Sequence, residues 1–527
     1  MISNRRGRTA VTTVFVMAVS IAMLMSTGGA SASAASSGGS HCAVLNVPSQ
    51  YSTIQQAINA AHSCDTIRVA SGTYVEQLTI DKSITIVGAG IGATVIQSPA
   101  TLSADAYGTF WTIELGNAAT VSLSGFTLLE TLQCLVPNPA FPPFPYEGGG
   151  IGVGGSANLT LQSAVVSTTG LTEGGACGAP GDFLTYGTGI GFGLDYAVGS
   201  PSASALIGTG TVYGVTISGF GFAGSGIEIG GSANSPTGSY ALVSHDKIYT
   251  SADANNDAAA VILGYSGNPE TATIVNNFLD GQATTSPANV ISVADGSSAY
   301  IAHNTILSPS TGIGVLVYVG ATATITYNSI QAGGSGGGGV YAFGAGPVVV
   351  THNWIVGSPI SDSNGVLLAE VESATVSYNV MGQFSCTYNA TLVSAGICGP
   401  NFEIDIDLGG ILNVANGPGT FVETNNLIYN ADIGIYSYGG CAQCSVSGNV
   451  ILNSYVYGLA GVDGSYTFGP DTIVGGAYGV AAIAYTVDTA VTLLHVVIIG
   501  PSSAPLYYEN DCLANVGTSC TDTITGT

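Results

Sequence analysis

Three carboxylates fall at alternating positions of one short segment of the sequence. In residues 401–408, apolar residues alternate with Glu403, Asp405 and Asp407. Successive side chains of a β-strand point to opposite faces, so the apolar residues would face a core and the three carboxylates would share the outer face. Positions two apart lie ~6.8 Å from each other along a strand. Neighbouring carboxylates of this trio can therefore hold one cation or one substrate between them.

Two chemistries fit this acidic trio. Asp405 and Asp407, with Glu403 beside them, can serve as the general acid and base of a glycoside hydrolase, since their spacing lies nearest the ~6.5–9.5 Å of inverting enzymes. Alternatively, the three residues bind Ca²⁺, a hard cation that prefers several carboxylate oxygens. A solvent-facing acidic strand without a function is the third interpretation. No cofactor is required by the first chemistry, and calcium is the cofactor of the second.

Aromatic residues are expected to flank the trio on the same surface. Tyr436 and Tyr438 belong to the next strand of this kind, and Tyr341 and Phe343 belong to an earlier one. Aromatic rings offer large apolar faces, and acid groups between such rings are typical of a sugar-binding groove. The sequence therefore predicts a polysaccharide or cell-surface glycan as the partner.

A unit of about two dozen residues positions these segments. It consists of an apolar residue, two variable residues, a polar bend residue, one variable residue and a second apolar residue. The bend residues of the clear copies are Asn277, Asn304, Asn328, Asn353, Asn379, Asn426, Asn449 and Asp471. A second strand signal of the Gly-Ile-x-Val type follows each bend by about nine residues. Units this short must pair with their neighbours, which predicts a solenoid of about 13 coils with three brief strands each.

The bend itself predicts two columns of side chains along the solenoid. Asn tolerates a left-handed backbone, and stacked side-chain amides can hydrogen-bond from coil to coil. The residues immediately before four of these Asn residues are His303, Tyr327, His352 and Tyr378. We expect these four rings to stack as a structural column, in preference to the two histidines sharing a metal.

The N-terminal part of the repeat region has the most specific pattern. Residues 51–61 read as a short amphipathic helix, and residues 65–76 contain Asp-Thr-Ile-Arg-Val and Gly-Thr-Tyr-Val-Glu. Residues 49–97 closely resemble the opening of the pectin lyase-like right-handed parallel β-helix repeat superfamily. The resemblance implies an all-β, single-stranded right-handed parallel β-helix with a short N-terminal capping helix. Cys64 departs from the pattern, because a Gly commonly precedes this Asp.

Together these features predict the organisation of the whole chain. Residues 1–34 are a signal peptide, 35–48 lead to the cap, 49–62 form the capping helix, 63–500 form the β-helix, and 501–527 form a C-terminal cap with a disulfide. The signal peptide has basic residues, an apolar run and small residues in the usual order. The protein is therefore expected to be secreted and not inserted in a membrane.

Cations are scarce in the expected mature chain. After residue 34, only Arg68, Lys82 and Lys247 remain against 31 acidic residues, which gives a net charge of −28. Three scattered cations form no basic patch, so nucleic acid and anionic membranes are not expected partners. A polyuronate would also be repelled unless calcium bridged it to the protein. A neutral glycan is therefore the better prediction.

The resemblance also limits the enzyme class. Enzymes of this superfamily usually act on the sheet that carries the Gly-Ile-x-Val strands. Its polysaccharide lyases commonly need an Arg or Lys base and its pectin methylesterases need an Arg, but only Lys247 lies in the repeat body. The polygalacturonase-like motifs and the Asp-Pro-His motif of alginate epimerases are absent as well. If the chain is an enzyme, a glycoside hydrolase is expected; the alternative is a non-catalytic surface or extracellular-matrix protein with a structural or adhesive role.

Ten cysteines in an exported chain suggest disulfides. Pairing of near neighbours is preferred: Cys42 with Cys64, Cys134 with Cys177, Cys386 with Cys398, Cys441 with Cys444, and Cys512 with Cys520. The Cys441–Cys444 pair can also be interpreted as a redox or metal motif, although the surrounding sequence favours a loop disulfide.

Overall fold

A computed structural model gives the structure of this chain. It describes residues 42–100, 102–103, 109–131, 147–169, 186–193, 208–218, 225–230, 238–249, 259–264, 270–281, 289–309, 312–333, 337–357, 363–384, 409–414, 420–439, 444–510 and 522–526. These residues form one helix and 47 β-strands. In this described part, no helix has the length and hydropathy needed to cross a membrane.

The strands belong to three parallel sheets, which we call sheets A, B and C. Sheet A has 17 described strands: Val44–Val47, Thr66–Val69, Thr85–Gly88, Thr120–Ser124, Asn158–Gln162, Thr209–Tyr213, Tyr240–Ser244, Thr271–Val275, Ser298–Ala302, Thr322–Thr326, Pro347–Thr351, Ser373–Ser377, Thr420–Thr424, Ser445–Ser447, Ser465–Phe468, Thr489–Leu493 and Asp522–Gly526.

Sheet B has 15 described strands, most of which follow the polar bend directly: Gly72–Val75, Thr94–Gln97, Thr127–Thr131, Val165–Thr169, Thr216–Ser218, Lys247–Tyr249, Phe278–Asp280, Thr305–Leu307, Ser329–Gln331, Trp354–Val356, Val380–Gly382, Leu427–Tyr429, Val450–Leu452, Thr472–Val474 and Val497–Ile499.

Sheet C also has 15 described strands: Leu78–Ile80, Phe110–Leu115, Glu147–Val153, Tyr186–Phe192, Ile227–Ile229, Val261–Leu263, Asn289–Val293, Ile313–Tyr318, Gly337–Phe343, Ser363–Ala369, Gly409–Val414, Ile433–Tyr438, Tyr457–Val462, Tyr478–Ala484 and Ala504–Asn510.

Each strand pairs with the strand one coil before it and one coil after it, always in parallel. The predicted parallel β-helix with three strands per coil is therefore confirmed. The described coils number about 15 rather than about 13, because the sheets begin at Val44 and extend to Gly526. The segment expected as a C-terminal cap thus contributes strands to sheets C and A, and the expected leader contributes the first strand of sheet A.

The interior of the solenoid consists of stacked aliphatic side chains. In sheet A, one inward column runs through Ile274, Ile301, Ile325 and Val350, all fully buried. Each coil adds one residue to such a column, so the apolar area removed from water grows with every turn. The core is therefore continuous along the described solenoid.

The predicted Asn ladder is confirmed and is buried. At a typical step, the backbone N–H and the Nδ2–H of Asn328 both donate to Oδ1 of Asn353, at 2.9 and 3.0 Å. The second Nδ2–H of Asn328 donates to the carbonyl oxygen of Ile301, at 2.9 Å. The side-chain amide thus satisfies both of its donors and two acceptor sites without water. The ladder members are Asp246, Asn277, Asn304, Asn328, Asn353, Asn379, Asn426, Asn449 and Asp471.

The left-handed backbone expected at Asn falls instead on the residue before it. Tyr327 has φ 54° and His352 has φ 56°, whereas the following Asn328 and Asn353 do not have positive φ. The physical reason is that the ladder amide must point inward to the next coil. The preceding residue takes the left-handed turn and directs its own side chain to solvent.

Glycine stands near the start of the sheet C strand in many coils, whereas Thr112, Ala260 and Val290 occupy the aligned position in others. A Cβ at Gly458 would lie 2.6 Å from the carbonyl oxygen of Gly479 and 2.7 Å from Cγ2 of Ile473. These atoms belong to the next coil and to the adjoining sheet. The Gly of the Gly-Ile-x-Val signal therefore permits the close approach at this corner.

Helix α1, Ile54–Ala60, lies within the predicted capping segment 49–62. The Thr53 side chain caps it by accepting a hydrogen bond from Gln56 N, and the Glu76 carboxylate accepts from Ile54 N and Gln55 N. Lys82 Nζ donates to the carbonyl oxygens of Ile58 and Asn59 at the other end. Charges of the favourable sign therefore sit at both ends of α1.

The Cys42–Cys64 disulfide is confirmed. Asp65 next to it accepts hydrogen bonds from the backbone N–H groups of His62 and Ala43, which lower the pKa of its carboxyl. Cys444 is also disulfide-bonded. The other predicted pairs involve residues 134, 177, 386, 398, 441, 512 and 520, which lie outside the described residues.

Candidate functional site

The predicted acidic trio lies outside the described residues, so the catalytic and calcium roles of Glu403, Asp405 and Asp407 stay predictions. In that coil, the described strand of sheet C is Gly409–Val414, and Leu412 is aligned with Leu367 and Tyr436. Gly409-Gly410-Ile411 supplies a glycine at the corner described above.

The four predicted aromatic residues do lie on sheet C, but two of their rings are buried. Tyr341 and Tyr436 occupy one outward column, and their exposed fractions are 6% and 3%. Tyr341 Oη donates to the carbonyl oxygen of Gly337 at 2.6 Å. Both rings pack in a second apolar cluster outside the solenoid core. Phe343 is 40% exposed and Tyr438 is half-buried, so their contact with a sugar stays a prediction.

The predicted ring column is confirmed. The centroids of His303 and Tyr327 lie 5.2 Å apart, those of Tyr327 and His352 4.8 Å, and those of His352 and Tyr378 5.1 Å, with nearly parallel planes. These rings are exposed at their edges, but their faces contact each other. The column is therefore a structural stack and leaves no inner ring face open to a sugar. Across the described residues, no group of three or more His, Cys, Asp or Glu is arranged to hold a metal.

The described chain presents a different pair of acids on the outer face of sheet C. Glu114, Gly152, Gly191 and Glu228 follow one another in the same outward column, one residue per coil. Strands of neighbouring coils lie ~4.8 Å apart, so the two glutamate Cα atoms are ~14 Å apart along the solenoid. We call these four residues the glutamate–glycine column. Two glutamates thus flank two glycines in this column, of which all but the partly buried Glu114 are buried.

Glu228 lies at the end of this column that is more deeply buried. Its exposed fraction is 8%, and the fully buried Thr188 donates a hydrogen bond from Oγ1 to Glu228 Oε2 at 3.1 Å. Burial raises the pKa of Glu228 to about 7, because it disfavours the charged form, while the hydrogen bond from Thr188 opposes this shift. The neutral form of this carboxyl group is therefore more favoured than it is for an exposed glutamate.

Trp111 packs over the floor of the column. A Cβ at position 152 would lie 2.5 Å from Cγ of the Trp111 ring, so Gly152 is needed for this contact. The indole Nε1–H donates to Thr109 Oγ1 at 3.1 Å, and Trp111 is buried. The ring is consequently fixed against the sheet and covers Gly152 between the two glutamates.

A sequence signal for Glu228 was present. The segment Gly226-Ile227-Glu228-Ile229 has the Gly-Ile-x-Val pattern, in which the third residue points outward. Other outward positions of this kind carry Gly, Ser, Leu, Ala or Tyr, for example Gly191, Ser292 and Leu316. The Glu114 strand lacks the glycine, so its place in the column followed only from the pairing.

The architecture places this chain among the right-handed parallel β-helix proteins. Residues 291–492 match the family described as "Right handed beta helix region". The resemblance to the pectin lyase-like superfamily is thus confirmed at the level of the fold. Comparison with curated proteins finds no matching relative.

Several solved structures share this architecture at low identity. The Dettilon tailspike protein is 13% identical, with a TM-score of 0.42 over 73% of this chain and 66% of the tailspike chain. The A-module of the mannuronan C-5 epimerase AlgE4 of Azotobacter vinelandii is 12% identical, with a TM-score of 0.37 over 89% and 94%. The surface protein and adhesin PfbA of Streptococcus pneumoniae is 10% identical, with a TM-score of 0.31 over 86% and 95%. These likenesses concern the winding of the chain, and the site must be argued from its own residues.

Proposed function

We propose that this protein is secreted and binds or acts on an extracellular polysaccharide at the outer face of sheet C. The observation that carries the proposal is the glutamate–glycine column, in which Glu114 and Glu228 flank Gly152 and Gly191 and the Trp111 ring lies over Gly152. Carboxyl groups form hydrogen bonds with sugar hydroxyls.

Long chain connections adjoin two strands of this column, although the connection 383–408 to the strand Gly409–Val414 is longer. Residues 132–146 and 170–185 connect sheet B to the sheet C strands that carry Gly152 and Gly191, and residues 194–207 follow the latter strand. In the coils with Asn304 and Asn328, the same connection takes only a few residues. Long connections that border one part of a rigid scaffold commonly carry binding function.

The charge of the chain favours a neutral glycan. Of the three cations after residue 34, Arg68 and Lys82 belong to the first coils, and Lys247 lies on sheet B rather than sheet C. A polyuronate would approach a protein of strongly negative charge without a cation on the binding face. A neutral polysaccharide meets no such repulsion, and calcium is needed only if a polyuronate binds.

The test is the binding of the mature protein to soluble laminarin, xylan, galactomannan and starch, with polygalacturonate and alginate as charged counterparts, measured by affinity electrophoresis with and without calcium. We expect binding to at least one neutral glycan and a loss of at least tenfold in the Glu114→Ala/Glu228→Ala double variant. Glu372→Ala, which removes an exposed carboxylate at the sheet A side, is the matched control and should bind as the wild type does.

Two outcomes would overturn the proposal. If the double variant bound the neutral glycans as tightly as the wild type, the column would not be the site. If the folded protein bound none of the glycans, the structural or adhesive alternative would replace the proposal.

A further inference from the structure

We infer that two copies of this protein form a dimer through the outer face of sheet B, with their solenoids antiparallel. The contact surface lies on the last six described strands of sheet B, away from the glutamate–glycine column, so it needs no glycan. We call this surface the apolar stripe. It consists of the first and third residues of each three-residue strand from Trp354–Val356 to Val497–Ile499, which point outward.

The register of sheet B arranges the members of the apolar stripe in two straight rows. One row runs from Trp354 to Val497 and the other from Val356 to Ile499, with one residue per coil in each row. The middle residue of each strand points to the core instead. Neighbouring strands lie ~4.8 Å apart, so the ends of each row are ~24 Å apart along the solenoid.

The apolar stripe differs from the surfaces around it. Apart from Gly382 and Thr472, its members are Val, Leu, Ile, Tyr and Trp residues, and none of them is charged. At the aligned positions of earlier coils, sheet B carries Lys247, Asp280 and Gln331. In the coils of the stripe, the outer face of sheet A carries mainly Ser and Thr. Outward strand positions of this solenoid therefore do not require apolar residues.

The apolar side chains are open to solvent, most of all at the two ends of the stripe. The exposed fractions are 53% for Trp354, 49% for Val497 and 52% for Ile499. In the middle, a Cβ at position 382 would collide with the ring of Tyr429, so this ring leans over Gly382 and fills the row there. Contiguous apolar surface of this kind is uncommon on a monomer and marks a place where another molecule docks.

Charge and side-chain chemistry favour a second copy of the chain as the molecule that docks there. The expected mature chain has three cations against 31 acidic residues, so two copies repel each other wherever their carboxylates meet. The apolar stripe has no carboxylate, so two copies can meet on it without this repulsion. Val, Leu and Ile side chains also lack hydrogen-bonding groups for a polar ligand. Their complement is another apolar surface, which the same stripe of a second copy supplies.

A two-fold axis between Leu427 and Val450 gives the best match of the two stripes. In such an isologous contact, the residues of the two copies face each other in reverse order. Trp354 then packs on Val497 of the second copy, so the bulky indole at one end meets the smaller β-branched residue at the other. With parallel solenoids, Trp354 would meet its own counterpart, and the two indoles would hold the remaining coils apart.

The size of the stripe predicts a reversible dimer. Its two rows lie ~6.8 Å apart and are ~24 Å long, so the contact falls below the ~800 Å² per partner of a stable complex. We therefore expect a dimer that dissociates on dilution. High ionic strength should favour the dimer, because salt screens the repulsion between the two acidic copies and leaves the uncharged contact intact.

The experiment is sedimentation velocity of the mature protein over a series of concentrations, at low and at high salt. We expect a monomer–dimer equilibrium that shifts toward the dimer with salt. Val450→Glu places a charge in the centre of the contact and should raise the dissociation constant of the dimer at least tenfold. Ser298→Glu adds the same charge at an exposed position of sheet A and is the matched control, which should dimerise as the wild type does. Circular dichroism checks the fold of both variants.

A mixture of two further variants tests the antiparallel arrangement. Trp354→Lys and Val497→Glu introduce opposite charges that face each other only in a mixed antiparallel dimer. This mixed dimer should therefore form severalfold more tightly than the dimer of either variant alone. In parallel solenoids, the two charges would lie ~24 Å apart and would give no such gain.

A protein that stayed monomeric at every concentration would overturn the proposed dimer. A dimer that Val450→Glu left unchanged would not use the apolar stripe, and a dimer that salt weakened would be held by charges instead; either result would overturn the proposed contact. A mixture without preference for the mixed dimer would overturn the antiparallel arrangement.

Discussion

Asp246 begins the ladder, which continues through asparagines to Asp471, and its replacement by Asn tests the ladder directly. Asp246 Oδ1 accepts a hydrogen bond from Val215 N at 2.7 Å, and Asp246 N donates to Asn277 Oδ1 at 2.9 Å. Its Oδ2 is buried without a hydrogen-bond partner in the described structure. An Asn at this position would place Nδ2–H there, as each asparagine of the ladder does.

The magnitude follows from the burial of this carboxyl. Burial raises the pKa of Asp246 from the ordinary 3.8 to about 7, and the hydrogen bonds from backbone N–H groups oppose this only in part. Below pH 3.8 the group is protonated in both the folded and unfolded states. As the pH rises to about 7, the unfolded state ionises first, so the folded state loses about 4 kcal/mol of stability over this window.

The groups around Asp246 do not supply a compensating charge. Val215 and Asn277 face it from the adjacent coils and are neutral, while His245 and Lys247 on its own segment are exposed to solvent. The Asp246→Asn variant has no group to titrate here. We therefore expect it to be ~4 kcal/mol more stable than the wild type at pH 8, and to differ by no more than ~1 kcal/mol at pH 3.

The assay is thermal and urea unfolding followed by circular dichroism at pH 3 and pH 8, with hydrogen exchange of the Val215 amide as a local readout. The compared quantity is the change in the free energy of unfolding between pH 3 and pH 8, in the variant minus the wild type. The contributions of the other acidic residues are common to both proteins and cancel. Asp81→Asn removes one exposed carboxylate and is the control for net charge. Parallel stability profiles of the wild type and Asp246→Asn across this pH range would refute the reasoning.

Three further predictions follow from the fold. Asn353→Ala leaves buried donors of the neighbouring coils without acceptors, so it should lower stability by ~2–5 kcal/mol in urea unfolding; a loss below 0.5 kcal/mol would contradict the ladder. Gly458→Ala forces a Cβ against the next coil and should lower the melting temperature by several degrees, whereas Gly116→Ala, with open space around it, should leave the temperature unchanged. Removal of the disulfide in a Cys42→Ser/Cys64→Ser variant frees a loop of 22 residues and should lower stability by ~3 kcal/mol. An unchanged urea midpoint would refute a stabilising role.

The Asn spacing was sufficient to predict the ladder, because a residue that recurs once per coil must stack on itself in a solenoid. The four rings before Asn304, Asn328, Asn353 and Asn379 followed for the same reason. The left-handed backbone was assigned to the wrong residue, since both Asn and the residue before it recur with the same period. Only the hydrogen bonds show which of the two points inward.

The candidate site was harder to predict than the fold. Alternation in residues 401–408 predicts a strand of sheet C, and these residues lie outside the described part of the chain, whereas Gly409–Val414 next to them does pair in sheet C. Glu228 had the correct local pattern, yet its partner Thr188 lies 40 residues earlier. The pair can be recognised only when the structure shows how many coils the residues between the two positions form.

The sequence by itself determined the winding, the Asn ladder, the capping helix and the first disulfide, because each depends on a period or a short local pattern. The tertiary structure decided which coil stands beside which, and with it the burial of Tyr341 and Tyr436 and the meeting of Glu228 with Thr188. The physical reason is that connections of variable length separate the repeats. The stacking of whole coils therefore decides which residues become neighbours. It also decides how deeply they are buried, and no single segment of the sequence contains this information.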